Sequence, residues 1–446
     1  MAQEAEPEPD TRRKGFPPVW GYDIAFKKSI PRGHMGRVVE IYLVGGAVRD
    51  RLLGETESDR DYVLVGMTAM DAQALEHQGY QKVGRDFPIW ISPEGEEYAP
   101  ARASHRTSWS PDTTLEEDLA RRDLTINAMA VAADGQITDP FGGRQDLQNH
   151  CLRHISEESF REDPLRVLRL ARFASRFTSF HIDRSTLAVS RDLVRGGGLS
   201  RVAPERIWNE TLRALLEKQP RRYFEVLRET GALEATFPEL AALEGVPQPP
   251  HHHPEGDVWI HTLLVLDQAS RMNLSLESRL AALFHDIGKG ATPRELWPSH
   301  IGHEKAALPL LGKIAARYPV SRSHLRIMRR MAQHHTSIHQ ILQFRHPQKI
   351  VLLLQALDAL RPGEPLDTIL LACMADIRGR TGHEDDSYPQ AGYLRSAREA
   401  VLQAKNTPEW KRLTTTGPGG AEMAGAILAL RTEACRKWLL EQRVQT

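Results

Sequence analysis

What this chain has little of narrows its class first. Its 446 residues include three cysteines, Cys151, Cys373 and Cys435, odd in number and far apart. That excludes a disulfide framework and fits a reducing compartment. Long apolar runs are missing: Ile350–Leu357 is too short to span a bilayer. A secretory signal is missing too, because the N-terminus MAQEAEPEPD is acidic and proline-containing. A cytoplasmic protein with no membrane contact is expected. Excess charge is also lacking. Lysine plus arginine count 58, as do aspartate plus glutamate, so any polyanionic partner must be met by a local basic face. There are no internal repeats. What remains is 41% hydrophobic residues, enough over this length for roughly two to four domains.

Residues 1–36 carry many proline, glycine and charged residues without periodicity. They read as a disordered extension, with Met35 as an alternative start. From Val38 strands and helices alternate. VVEIYLVGG predicts a buried strand ending in glycines, AVRDRLLG a short helix with a glycine stop, and DYVLVG a second strand. Thr68 opens a predicted helix, and FPIWISPEGEEYAPARA predicts a hairpin turning at Pro93–Gly95. TLEEDLARRDLTINAMAV predicts one helix and TDPFGGRQDL a turn-rich hinge. After Asp163 the pattern is helical almost throughout, broken by the proline-rich Glu244–Asp257, read as a linker. The expected fold is α+β: a mixed head over 37–160, a helical neck and body over 161–245, and a second helical domain over 246–446.

The head carries Gly45-Gly46 after a strand, then Arg49, then Asp59 and Asp61 opening the next strand. Two glycines let the backbone approach a triphosphate, and Arg49 offers a fork of donors. Strand alternation puts Asp59 and Asp61 on one face, where two hard oxygen ligands suit magnesium. Two such ions stabilise the attacking and leaving oxygens of an in-line displacement. Each piece alone also reads as a tight turn or a solvated strand start; their order on strand ends points to chemistry. Glu97 on the hairpin is a candidate third carboxylate or a surface residue. Arg122, in RRDLTINA, is a candidate phosphate contact, and Asp123 and Asn127 are four apart on one predicted helical face.

In Glu162–Arg176, Asp163 and Pro164 start a helix on which Arg166, Arg169, Arg172 and Arg176 share a face. Cytosine and adenine both present an exocyclic amine beside a ring-nitrogen acceptor. An aspartate accepts from the amine and an arginine donates to the ring nitrogen. Uracil and guanine present the opposite pattern and leave both side chains unpaired. One Asp/Arg pair thus accepts C and A and rejects U and G without a template.

LVGGAVRDRLLG, the DRD pair, RRDLTINA, DPFGG and EDPLR, in this order, resemble the motif series of class II tRNA nucleotidyltransferases, the CCA-adding enzymes of the polymerase-beta-like superfamily. The resemblance runs from about Ile41 to near the C-terminus. It implies that Gly46, Arg49 and Arg122 contact CTP or ATP, that Asp59 and Asp61 hold Mg2+, that Asp163 and Arg166 read the base, and that Arg169 and Arg172 complete the pocket. It also implies attack of the tRNA 3′-hydroxyl on the α-phosphate, with release of pyrophosphate.

Beyond the linker stand His261 on an apolar helix, His285-Asp286 in LAALFHDIGKG, and Asp376 in ACMADIRGRTG. Imidazole and carboxylate are good ligands for a divalent ion. The set resembles the HD phosphohydrolase superfamily. This implies a metal site, taking Ni2+ or Mg2+, of the kind a bacterial multifunctional subgroup of CCA-adding enzymes uses as phosphatase and 2′,3′-cyclic phosphodiesterase. His303 and His335 are further candidates, and His251–His253 read as linker. Arg221, Arg222, Arg317, Arg322, Arg326, Arg329 and Arg330 are candidate tRNA phosphate contacts or solvated helix faces. A monomer is expected, with a dimer left open. Three alternatives also stay open: a poly(A) polymerase, a tRNA-binding HD phosphohydrolase with an inert head, and an enzyme adding only CC. The last follows from Ser104–Thr113, shorter than the flexible loop usual in full CCA-adding members.

Overall fold

The computed structural model describes residues 38–56, 59–84, 88–102, 109–363, 365–416 and 419–444. The expected extension over 1–36, and residues 103–108 of the short loop, lie outside them. The chain forms two compact units. One holds the residues up to Arg166 with Ser179–Leu193; the other holds Val167–Thr178 and everything from Val194 onward.

The first unit is built on a seven-stranded sheet. Its strands are β1 (Glu40–Val44), β2 (Asp61–Val65), β3 (Gln81–Val83), β4 (Ile89–Ile91), β5 (Glu97–Pro100), β6 (Ala130–Val131) and β7 (Ile137–Thr138), in the spatial order β3-β4-β5-β2-β1-β6-β7. All pairs are antiparallel except β2–β5. That parallel pair fixes the site, because it sets Asp61 opposite Glu97. Both faces of the sheet are covered. Along β2, Val63 packs into one core with Val44, Leu115 and Leu119, while Leu64 packs into the other with Leu75 and Trp90. The Ala69–His77 helix starts as its sequence predicts, with a Thr68/Asp71 capping box.

The hairpin turns where expected: Gly95 N–H donates to the Ser92 carbonyl at 2.9 Å, at a φ of +89°. The single helix expected over RRDLTINA is corrected. The helix covers only Leu115–Ala120, a 3-10 turn follows at Thr125–Asn127, and Ala130–Val131 is a strand beside β1. The physical reason is competition for the backbone. Asp123 Oδ1 accepts from its neighbour Leu124 N–H, and Ala130 and Val131 are paired with Val44 and Leu43 of β1. The hinge at Asp139–Gly142 leads into a short helix, Gly143–Gln148. Gly143 is required there, since a Cβ would stand 2.3 Å from the Thr125 carbonyl oxygen.

The second unit is helical. The Val258–Arg271, Leu276–Phe284 and Arg322–His339 helices open on Asp257, Ser275 and Ser321, whose side chains accept from an amide of the first turn. With Leu366–Arg378 they surround an apolar interior that includes Met331, Ile369, Leu370 and Cys373. The proline-rich stretch is ordered rather than a loose tether: Gln248 N–H donates to the Gly256 carbonyl at 2.9 Å, and His253 is buried. No helix among the described residues is long and apolar enough to cross a membrane.

Candidate active sites

In the first unit a pocket of about 430 Å³ opens beside the ends of β2 and β5. Asp61 and Glu97 line it together with Arg102, Arg121, Arg122 and Arg166, and with Asp118, Glu162 and Asp163. Carboxylates and guanidinium groups lining one pocket match a metal–triphosphate complex, in which cations sit between two sets of anionic oxygens. Burial first, and then the Glu97 carboxylate, push the Asp61 carboxyl up to about 6. Asp59 also raises it, while Arg122 pulls it down. Asp61 is therefore poised to exchange a proton for a cation, which fits a divalent ion at this place. Asp59 is exposed, just ahead of the strand.

Arg122 is positioned by three features. Its Nη2 pairs with Asp118 at 3.2 Å. Its Nη1 lies so close over Gly45 that a Cβ there would come within 2.7 Å. Its own carbonyl accepts from Arg166 Nη1 at 3.1 Å. Arg166 also bonds the carbonyls of Ser159 and Arg121, so it holds the pocket wall in shape. Asp163 Oδ1 accepts from Leu165 N–H at 3.3 Å. Arg49 lies outside the pocket lining. It is buried, ion-paired with Asp50 at 2.7 Å, and donates to Asn127 Oδ1. Asn127 donates in turn to Asp123 Oδ1 at 2.8 Å, so RRDLTINA is tied to the turn at Gly45-Gly46. Gly46 is the first residue of its helix.

In the second unit, Arg169 lies over the Phe173 ring at 5.7 Å. Arg172 is buried in ion pairs with Glu210 and Glu217, the latter at 3.0 Å. Sequence reasoning missed Arg102 and Arg121, whose signal was only their place beside motif residues.

The second site gathers residues from four helices and from the His285-Asp286 turn that ends the Leu276–Phe284 helix. His261 Nε2 lies 3.1 Å from Asp376 Oδ1, and His285 Nε2 lies 3.1 Å from Asp286 Oδ2 and 3.8 Å from Asp376 Oδ1. On the other side of Asp286, His303 and His335 bring their Nε2 atoms to 3.5 and 3.4 Å from Oδ1. Three residue sets, His253–Glu255–His261, His261–His285–Asp286 and Asp286–His303–His335, are each close enough to share one ion. The tautomers support this. The Nδ1 atoms of His285, His303 and His335 face the carbonyls of Ala282, His300 and Met331, so that in the neutral ring each Nε2 would present its lone pair to an ion, His285 giving up its proton to do so. His285 Nε2 and Asp286 Oδ1 are buried with no hydrogen-bond partner among the described residues. Orphaned acceptors converging this way fit a cation.

Burial opposes charge on His285, but Asp286 and Asp376 outweigh it and hold the imidazole up to about 9. The same ion pairs keep both carboxylates well below their usual range despite burial. Lys289 Nζ reaches Asp286 Oδ2 at 2.7 Å and Gln248 Oε1 at 2.6 Å. His339 Nε2 reaches Asp376 Oδ2 at 2.7 Å. Reading the proline-rich stretch as linker missed two residues: Glu255 approaches His261 Nδ1 at 2.8 Å, and His253 stacks edge-on against His261 at 4.6 Å.

Three family models match in chain order: the Poly A polymerase head domain over residues 41–153, the probable RNA and SrmB-binding site of polymerase A over 179–243, and the HD domain over 258–374. The multifunctional CCA protein of Hahella chejuensis is 45% identical over 409 residues, covering 89% of this chain and 95% of that protein. That of Nitrosococcus oceani is 45% identical over 415 residues, covering 91% and 100%. Among solved structures, a CCA-adding enzyme in its apo form aligns with a TM-score of 0.61 at 21% identity, covering 92% of this chain and 90% of the other. The Thermotoga maritima CCA-adding enzyme complexed with tRNA aligns at 0.58 and 20%, covering 91% and 92%. These last two likenesses speak to the fold.

Proposed function

Since the chain belongs to the bacterial multifunctional CCA proteins, we propose that its first unit completes tRNA 3′ ends with C, C and A, and that its second hydrolyses phosphate esters. The observation that carries the first reading is the pocket that Asp61 and Glu97 line together with Arg102, Arg121, Arg122 and Arg166. Bound Mg2+ would neutralise the triphosphate and stabilise the attacking and leaving oxygens. Asp59, Asp61 and Glu97 would hold the ions. Arg122, with Arg102 and Arg121, takes the triphosphate oxygens and steadies pyrophosphate as it leaves. Gly46 keeps the backbone thin beside the phosphates, and Arg49 fixes that turn through Asn127. Asp163 accepts from the exocyclic amine of C or A, and Arg166 donates to the ring nitrogen, so U and G meet unpaired groups.

In the second unit, His261, His285, Asp286 and Asp376 would hold a divalent ion, and Asp286, His303 and His335 are a further set that could hold one. Bound ions supply Lewis acidity toward a phosphate ester. The imidazole-rich donor set favours Ni2+ over Mg2+. Lys289 keeps Asp286 ionised and oriented. A terminal 2′,3′-cyclic phosphate of damaged tRNA is the substrate we assign.

The test is to incubate the protein with tRNA lacking CCA and each nucleoside triphosphate, singly and in pairs, and to size the products. CTP alone should add two residues, and CTP with ATP three. Absence of CMP incorporation overturns the reading. AMP chains without C indicate a poly(A) polymerase, and a permanent stop at CC indicates a CC-adding enzyme. Cyclic-phosphate hydrolysis should disappear in His285→Ala, and its retention there counts against the second site.

A further inference from the structure

The Arg322–His339 helix presents two faces with different chemistry. One face buries Ile327, Met328, Met331, Ala332 and Ile338 in the helical core and delivers His335 to the metal site. On the outer side Arg322, Arg326, Arg329 and Gln333 follow one another at spacings of four, three and four, which places them in a single stripe. With Leu325 and Arg330 they line a groove of about 420 Å³. Over eleven residues at 1.5 Å each, the stripe is about 16 Å long.

The arginines of this region divide sharply in their partners. Arg317 is held bidentately by Glu239, at 2.7 and 3.0 Å. Arg330 is tied to Asp358 and to the Ala356 carbonyl. Arg322, Arg326 and Arg329 are exposed and have no ion pair or hydrogen bond among the described residues. Three like charges at helical spacing repel one another, and Arg322 stands in the first turn, where the helix dipole is already positive and no acidic residue offsets it. The chain as a whole is neutral, so this cluster is not a by-product of a basic composition. An unpaired guanidinium row of this kind is unfavourable by itself and is complemented by a row of phosphates.

We propose that Arg322, Arg326 and Arg329 form an RNA-docking strip that grips the sugar–phosphate backbone of the tRNA substrate, separate from both active sites. The inference rests on the tRNA reading above only for the identity of the RNA. The contacts are to phosphates and carry no sequence preference. Gln333, at the end of the strip, is suited to a ribose 2′-hydroxyl.

The test uses the full-length protein carrying Arg322→Gln, Arg326→Gln and Arg329→Gln together. Binding of tRNA lacking CCA is measured by fluorescence anisotropy at several salt concentrations. The slope of log Kd against log salt should fall by about two to three, one counterion release lost per arginine. KM for tRNA should rise while KM for CTP and kcat stay unchanged. Replacing the same three residues by lysine should restore most of the slope, which separates lost charge from lost folding, and the melting temperatures should match. An unchanged slope in the glutamine variant overturns the proposal. A loss of binding to polyglutamate with tRNA binding intact overturns it too, in favour of an acidic protein partner. Failure of the wild-type protein to incorporate CMP while the strip still governs RNA binding would strike the enzymatic reading and leave the strip standing.

Discussion

Asp61 and Glu97 are register partners in the parallel pair β2–β5, so two carboxylates face each other across adjacent strands. Neither gains from the other until a cation lies between them. Glu97→Gln should therefore lower nucleotidyl transfer at least about tenfold and weaken Mg2+ binding. Asp61→Ala should cost about a thousandfold or more, with phosphoesterase activity untouched. Near-normal CMP incorporation by Glu97→Gln would return Glu97 to the status of a surface residue.

The same pair predicts a pH effect. The Asp61 carboxyl stands at about 6, raised by burial and then by Glu97. A raised carboxyl contributes stability to the ion-free protein below its ordinary pKa, and that contribution is lost as pH rises through about 6. Magnesium needs the ionised form, so its affinity should weaken as pH falls below about 6, with a proton released on binding there. In Glu97→Gln the acid limb should move to lower pH. Isothermal titration in two buffers of different ionisation enthalpy measures both effects, and a limb that does not move would exclude Glu97 as a cause.

Asp163 and Arg166 should separate in their effects. Asp163→Ala should relax base choice while leaving the triphosphate contacts in place. UTP and GTP incorporation reads this directly, and continued full exclusion of both sinks the assignment. Arg166→Ala removes bonds to three carbonyls, those of Arg121, Arg122 and Ser159, and should destabilise the protein by about 2–3 kcal/mol as well as slow transfer. Thermal melting checks that outcome; an unaltered melting temperature would mean the carbonyls find other donors.

Gly288 lies two residues after Asp286, and a Cβ on it would stand 1.9 Å from the His303 carbonyl and 2.8 Å from the Ala307 amide. Gly288→Ala must push the His303–Arg317 helix away and with it the His303 imidazole. The expected result is the loss of about one bound divalent ion per chain, and of phosphoesterase activity, with CMP incorporation retained. Metal content by atomic emission after dialysis decides this. His303→Ala should give the same stoichiometry without the backbone displacement, so an unchanged content in both variants would remove the second ion.

The sequence by itself determined what depends on neighbours in the chain. Strand alternation, the Thr68 capping box and the hairpin turn at Gly95 are local patterns that fix backbone angles and burial periodicity. The carboxylates of DRD and the HD pair were legible for the same reason, since adjacent residues carry their spacing with them. Tertiary structure decided everything that requires distant side chains to converge. His261 and Asp376 meet across 115 positions, and Arg49 turns to Asn127 across 78 instead of to the pocket. Glu97 gains its place only through the parallel register of β2 and β5, and Glu255 only because the proline-rich stretch folds back onto His261. The helix expected through RRDLTINA failed because sheet pairing at Ala130–Val131 outweighed helix propensity. Propensity is worth tenths of a kcal/mol per residue, whereas pairing and burial against a core are worth more, so long-range packing overrides the local preference wherever the two disagree.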